Sequence, residues 1–188
     1  MDRTPLIKGM FINSHIERLH REKGDEGLLE LQRRIGRFTA FDSFDDYPVS
    51  LEIQVIETVY DLLNGQTDPA TKRFEAGRLH FRDFSETFFG RMTMGIAPRT
   101  SQGFKTLMLS ANYIGRYVFK NTDLSTKTLD GSVVITMENN DYHIDHFRGL
   151  FYEWALYWGL SNPEVLATET ARKKFEYVIM WENVYTVK

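Results

Sequence analysis

The chain has 188 residues, 42% of them hydrophobic and 14% aromatic, which is enough for one domain with a full core. Its 26 carboxylates against 23 lysines and arginines leave a formal charge of −3, so it lacks the basic field that a nucleic-acid partner would need. There is no cysteine, which excludes disulfides, thiolate metal sites and cysteine nucleophiles.

The opening Met1-Asp2-Arg3-Thr4-Pro5 lacks the apolar run of a signal peptide, and no apolar stretch is long enough for a membrane span, so a cytoplasmic location is expected. Met10, Ile12, Ile16 and Leu19 recur among Glu17, Arg18, Arg21 and Glu22, predicting an amphipathic helix from Gly9 to Lys23 that Gly24 ends. Asp25 or Glu26 begins a second helix, with Leu28, Leu29, Leu31 and Ile35 on its apolar side and Gly36 as its stop. Arg37 to Pro48 reads as a loop. Its Asp42, Asp45 and Asp46 lack the spacing and distal Glu of a calcium loop and are expected to be solvated.

The next helix starts around Tyr47-Pro48-Val49-Ser50, with Ser50 as its cap, and buries Ile53, Ile56, Val59, Tyr60 and Leu63 before Asn64-Gly65. Asp68 caps another, with Pro69 at its first position. It carries Phe74, Gly77, Leu79, Phe81, Phe84, Phe88 and Phe89, with a break expected near Gly77. Arg73, Arg78, Arg82, Arg91, Arg99 and Lys105 make this middle part of the chain locally basic and read as a solvated side, interspersed with Glu75, Asp83 and Glu86. After a turn at Gly95 to Pro98, a single helix is expected from Phe104 to Phe119.

The last third predicts two strands, an aromatic helix and two more strands. Asp130-Gly131 is a hairpin signal between Asp123–Leu129 and the β-branched run Ser132–Glu138. Ile144, Phe147, Leu150, Phe151, Trp154 and Trp158 form one face of a helix within Asp141–Leu160, capped by Asn140 or Asp141 and stopped by Gly159 and Pro163. Phe175, Tyr177, Ile179 and Trp181 alternate along a strand that Val165–Ala171 pairs with. The fold class is therefore α+β in a single domain spanning 1–188: a helical N-terminal two-thirds packed with a C-terminal ββαββ unit forming a four-stranded antiparallel sheet.

No catalytic constellation stands out. Neither phosphate-binding glycine loop occurs, the serines lack a nucleophile-elbow context, and acid–base pairs could only be chosen arbitrarily. His143 and His146, three residues apart with Asp141 and Asp145 beside them, are the metal candidates. The aromatic helix and sheet could instead leave a pocket for a small apolar ligand, walled by Tyr113, Tyr117, Phe151, Trp154 and Trp158.

A family likeness is carried by short strings. Leu6-Ile7-Lys8-Gly9-Met10-Phe11-Ile12-Asn13-Ser14, with Gly24-Asp25-Glu26-Gly27-Leu28 after it, resembles the opening of heme-nitric-oxide-binding (H-NOX) domains. It is more similar still to that of an uncharacterised bacterial family with many myxobacterial paralogues. Phe74-Glu75-Ala76-Gly77-Arg78, Phe84-Ser85-Glu86-Thr87-Phe88-Phe89 and Phe147-Arg148-Gly149-Leu150-Phe151 fall where H-NOX-like domains have similar strings. The ββαββ layout resembles the wider superfamily of vinyl-4-reductase domains and TRAPP-complex subunits, whose association through helices implies scope for a homodimer.

The heme residues of H-NOX domains do not carry over. The resemblance puts the iron-ligating histidine position at or near Asn112, a poor axial ligand. The propionate-gripping Tyr-x-Ser-x-Arg motif would fall near Met137-Glu138-Asn139-Asn140-Asp141, where an acid stands in place of the Arg. Heme would need His80, His143 or His146 from a different place. The expectation is thus a non-enzymatic, heme-free sensory or scaffold module without a cofactor, binding a protein partner, a small apolar ligand, or both. A heme-based gas sensor and a metal-dependent enzyme at His143 and His146 are the alternatives.

Overall fold

The computed structural model describes residues 3–36, 40–129 and 131–182. The chain opens with strand β1 (Leu6–Lys8), helix α1 (Gly9–Ile35), strand β2 (Asp46–Pro48) and helix α2 (Val49–Asn64). Helices α3 (Pro69–Glu86), α4 (Phe88–Met94), α5 (Ser101–Leu109) and α6 (Ala111–Val118) come next, then strands β3 (Phe119–Lys120), β4 (Asp123–Leu129) and β5 (Ser132–Glu138). Helix α7 (Ile144–Tyr157) and strands β6 (Ser161–Ala171) and β7 (Lys174–Glu182) complete it.

Local chemistry sets most of the boundaries. Within α1 the helix kinks at Gly24, whose φ of 62° and ψ of −157° suit a residue without Cβ, so the two expected helices run on as one bent element. The buried stripe of its first half is Phe11, Ile12, His15, Ile16 and Leu19, one position round from the expected face; Met10 is only half-buried, and Leu29 is exposed. Asp68 caps α3 as expected, its Oδ1 accepting from the amides of Ala70 (3.1 Å) and Thr71 (3.0 Å).

Several expected boundaries are corrected. Ser50 does not cap α2; the residue before the helix is Pro48, and the Val49 amide donates to the Pro5 carbonyl (3.0 Å), so a short β-ladder fixes the start. Helix α3 passes unbroken through Gly77, and the chain turns instead at Thr87, whose hydroxyl accepts from the Gly90 amide (2.9 Å) to cap α4. The helix expected over Phe104–Phe119 is two, meeting at Ser110, where the Ser110 amide donates to Leu107 O (2.9 Å) in a tighter turn. Helix α7 is capped by His143, not by Asn140 or Asp141: its Nδ1 accepts from the Asp145 amide (3.3 Å), while Asp141 pairs with Lys173 (2.7 Å).

The main sheet is four-stranded and antiparallel in the order β4-β5-β7-β6. Leu129 faces Ser132 across the hairpin, where Gly131 has φ 69°; Asp130, the other half of that signal, lies outside the described residues. Val133, Ile135 and Met137 of β5 and Phe175, Tyr177, Ile179 and Trp181 of β7 turn inward, as their alternation predicts. Strand β6 begins earlier than expected and takes in Pro163, which an edge strand tolerates; the register shifts between Ser161 and Glu164. A second, three-stranded sheet in the order β2-β1-β3 was not expected, because its strands are too short for periodicity to mark. Asp46, expected to be solvated, serves that sheet by pairing with Lys8 (2.7 Å) and Lys120 (3.2 Å).

The helices pack over one face of the sheet through a core that includes all three tryptophans, Trp154, Trp158 and Trp181. Helices α3 and α7 cross at backbone contact. A Cβ on Gly77 would overlap the His146 carbonyl, and one on Gly149 would overlap that of Phe74. Among the described residues no helix is long and apolar enough to cross a membrane.

Candidate functional site

The crossing of α3 on α7 brings together polar residues far apart in sequence. His80 lies one helical turn beyond Gly77, and its Nδ1 sits 3.0 Å from Nε2 of His146, the residue whose carbonyl abuts Gly77. Helices α1 and α2 close the other side. His15 Nδ1 donates to Asp83 Oδ2 (2.6 Å) and His15 Nε2 to Glu52 Oε1 (2.7 Å), so one imidazole bridges two carboxylates. Glu52 Oε1 is also 3.5 Å from His80 Nδ1, while Tyr142 donates its hydroxyl to Glu52 Oε2 (2.6 Å) and stacks on His146. Arg18 closes the network by donating through Nε to Asp83. His15 and Glu52 are fully inaccessible, and His80, Asp83, Tyr142 and His146 are at most 3% exposed.

Burial pushes the His15 pKa down, but hydrogen bonds and charge from Asp83 and Glu52 outweigh it and hold the imidazolium to about 9. Burial pushes Glu52 up, and the neighbouring imidazoles override it to bring the carboxyl down to about 2. For His80 and His146 burial prevails, lowering them to about 4 and about 3. His80 can support the Glu52 anion only when charged, so near neutral pH that anion rests on His15 and the Tyr142 hydroxyl. The cluster is thus a buried anion–cation–anion row beside two neutral imidazoles.

Next to it lies an apolar cavity of about 60 Å³ between α3, α6, α7 and β4. Its wall includes Phe84, Ala111, Ile114, Leu124, Phe147 and Phe151, and His80 belongs both to this wall and to the cluster. Trp154 lines it too, and its indole N–H has no acceptor among the described residues.

Of the residues expected to wall a pocket, Phe151 and Trp154 line this cavity and Tyr113, Tyr117 and Trp158 do not. Tyr113 is 75% exposed and Tyr117 43% exposed, on the outer side of α6. Tyr117 stacks there on Phe89 (4.2 Å), because the inner side of α6 is taken by Ala111, Ile114, Gly115 and Val118. Trp158 is buried against α5 near Gly103, away from the cavity. His143 and His146 are separated too: His143 is a half-exposed cap beside Asp145 (3.3 Å), and His146 turns inward to His80.

His15, Glu52, Asp83 and Tyr142 carry no site assignment from the sequence, and His80 enters there only as a substitute heme ligand. A signal was present: Glu52 lies between Val49 and Ile56 on the buried stripe of α2, His15 between Phe11 and Leu19 on that of α1, and His80 between Ala76 and Phe84 on that of α3. A polar residue where the helical period demands an apolar one must find partners in the core.

The fold, a helical layer over a four-stranded antiparallel sheet, is similar to that of solved H-NOX domains. The chain superposes with TM-score 0.67 and 14% identity on an oxygen-binding H-NOX domain related to soluble guanylate cyclases, solved as its oxygen complex, covering 97% of this chain and 99% of that one. A mutant Fe(II) unliganded H-NOX protein from K. algicida matches with TM-score 0.66 and 11% identity over 97% and 100% of the two chains. A mutant H-NOX from T. Tengcongensis matches with TM-score 0.64 and 15% identity over 94% and 98%. The chain belongs to the family described as "Protein of unknown function (DUF2378)", whose model matches residues 4–182. No curated protein matches it.

Proposed function

We propose that this chain is a non-enzymatic sensory module: an H-NOX fold working without heme, in which a small apolar ligand enters the cavity beneath α6 and a protein partner reads the helices outside it. The observation that carries the reading is the cavity. At about 60 Å³ it is well under the 300–1,000 Å³ of pockets for larger ligands, and it is walled almost wholly by apolar groups. One water needs about 10–15 Å³ on this measure, so the cavity suits a molecule of a few heavy atoms.

A porphyrin does not fit the residues present. Phe84, Phe147 and Phe151 stand around the space between helices and sheet, and α6 offers the half-buried Asn112 and no imidazole. His80, the imidazole on the cavity wall, is engaged with His146. Where a propionate would need a cation, Glu138 and Asp141 are already paired with Lys174 (2.6 Å) and Lys173 (2.7 Å).

Helix α6 links inside to outside. Its inner side walls the cavity, and its outer side carries exposed Tyr113 and Tyr117, the latter stacked on α4. Phe88, Met92, Ile96 and Leu109 are exposed as well and supply apolar surface that a partner, or a second copy of the chain, would cover. A ligand favouring one position of α6 would shift that surface between two populations. The proposed setting is the cytoplasm.

The test is heme reconstitution, then thermal unfolding and amide NMR under xenon pressure. The expected result is no Soret band, a xenon-dependent rise in Tm and shifts at Ile114 and Gly115, with the xenon effects absent in Ala111→Leu, which fills the cavity. A Soret band overturns the heme-free reading. Indifference to xenon overturns the ligand.

A further inference from the structure

One ligand atom from each of His15, Glu52 and His80 lies within 4.8 Å of the other two, and His146 Nε2 is 3.0 Å from His80 Nδ1. We infer that this cluster is a binding site for a divalent transition metal of the zinc class, with His15, Glu52 and His80 as ligands and His146 as the fourth. The four come from four helices, α1, α2, α3 and α7, so coordination would tie the helical layer together at its centre.

Zinc bonds of about 2.0–2.2 Å place neighbouring ligands of a tetrahedron about 3.3–3.6 Å apart. The corresponding separations are 3.5 Å from Glu52 Oε1 to His80 Nδ1, 3.0 Å from His80 Nδ1 to His146 Nε2, and 2.7 Å from His15 Nε2 to Glu52 Oε1. An ion therefore needs the His15–Glu52 pair to open by roughly 0.6–0.9 Å and the His80–His146 pair by roughly 0.3–0.6 Å, with His146 drawn in from beside the three-residue group. Three imidazoles and one carboxylate suit zinc, iron, cobalt or nickel, whereas magnesium and calcium prefer all-oxygen sites.

The surroundings have the form that metal sites use. Asp83 holds His15 through Nδ1 (2.6 Å), leaving Nε2 to face the centre, and Arg18 holds Asp83 in turn. Tyr142 fixes the second oxygen of Glu52 (2.6 Å), leaving Oε1 for the metal. A purely structural role explains this arrangement less well, because well-packed apolar side chains usually match or exceed a buried ionic network in stability. The facing nitrogens of His80 and His146 share one proton between them, whereas an ion takes both as lone-pair donors. None of this requires the apolar cavity to be occupied.

The experiment uses the full chain, stripped with a chelator, returned to Zn²⁺ or Co²⁺ and freed of excess metal by gel filtration. The expected result is one equivalent of zinc per chain, a zinc-dependent rise in Tm, and a visible Co²⁺ spectrum of four-coordinate nitrogen and oxygen ligation. His80→Asn and His146→Gln lose the metal, and Asp83→Asn, which disturbs only the group behind His15, weakens binding about 10–100-fold. His143→Ala and His20→Ala keep the full equivalent. Should a variant fail to fold by circular dichroism, the Co²⁺ spectrum and paramagnetically shifted imidazole resonances of the unaltered chain decide. Substoichiometric zinc in the unaltered chain, zinc retained by folded His80→Asn, or zinc lost by His143→Ala overturns the assignment.

Discussion

Replacing Glu52 by Gln removes a charge and almost nothing else. The side chain is fully buried, Oε1 accepts from His15 (2.7 Å) and Oε2 from Tyr142 (2.6 Å). A Gln oxygen can still accept from His15, and its amide can donate to the Tyr142 hydroxyl oxygen, so both hydrogen bonds have substitutes. What disappears is half of the anionic sandwich around the His15 cation. Removing one partner of a buried pair costs about 3–5 kcal/mol, and the retained hydrogen bonds place this case at the lower end. The rise of His15 from 6.5 to about 9 is worth about 3 kcal/mol in all, at about 1.4 kcal/mol per unit, and is shared between Glu52 and Asp83. The expected loss is about 2–3 kcal/mol at pH 6, or roughly 5–10 °C in Tm for a chain of this size.

The sign of the pH dependence is fixed. His15 has a raised folded pKa, so its contribution is complete below 6.5 and is lost as pH climbs through about 9. The difference between native protein and Glu52→Gln must therefore shrink from pH 6 toward pH 10. Urea unfolding monitored by tryptophan fluorescence in EDTA measures it. A loss under about 1 kcal/mol at pH 6, or a difference independent of pH, would refute the buried ion row.

The acid side runs the other way: His80 and His146 have lowered folded pKa values, so their neutral forms support the fold above pH 6.5 and that support fades toward about 4 and about 3. His146→Gln, which cannot titrate, should flatten the stability slope below pH 6.5 in urea titrations; an unchanged slope would show that His146 protonates freely in the folded state. Gly77→Ala should destabilise by about 1–3 kcal/mol despite alanine's better helix propensity, because its Cβ meets the His146 carbonyl. A neutral or stabilising effect in thermal melts would mean that α3 and α7 separate easily. Asp68→Ala should cost about 1 kcal/mol through the lost cap, while Ser50→Ala, at a position that caps nothing, should be close to silent.

The residues that announced themselves did so through local rules. Phe175, Tyr177, Ile179 and Trp181 mark an inward strand face by alternation, Asp68-Pro69 marks a helix start, and Gly36 marks a stop. Breaks without such a marker were misplaced. Gly77 looked like an interruption because glycine weakens helices, yet its role is to let another helix approach, and Ser110 carries no breaker at all. An aromatic ring favours burial, which points to Tyr113 and Tyr117 as pocket residues, yet the small Ala111 and Gly115 take the inward side of α6.

The succession of helices before a ββαββ unit and the inward side of the main sheet are legible in the sequence alone, because periodicity and capping act within a few residues. Which polar groups meet was decided only by tertiary structure. His15, Glu52, His80 and His146 lie on four separate helices, and each looks like an isolated polar residue on an apolar stripe until the crossing at Gly77 and Gly149 draws them to one point. The physical reason is that a buried charge or imidazole is tolerable only beside its partners, and partners distant in sequence are set by how the helices pack.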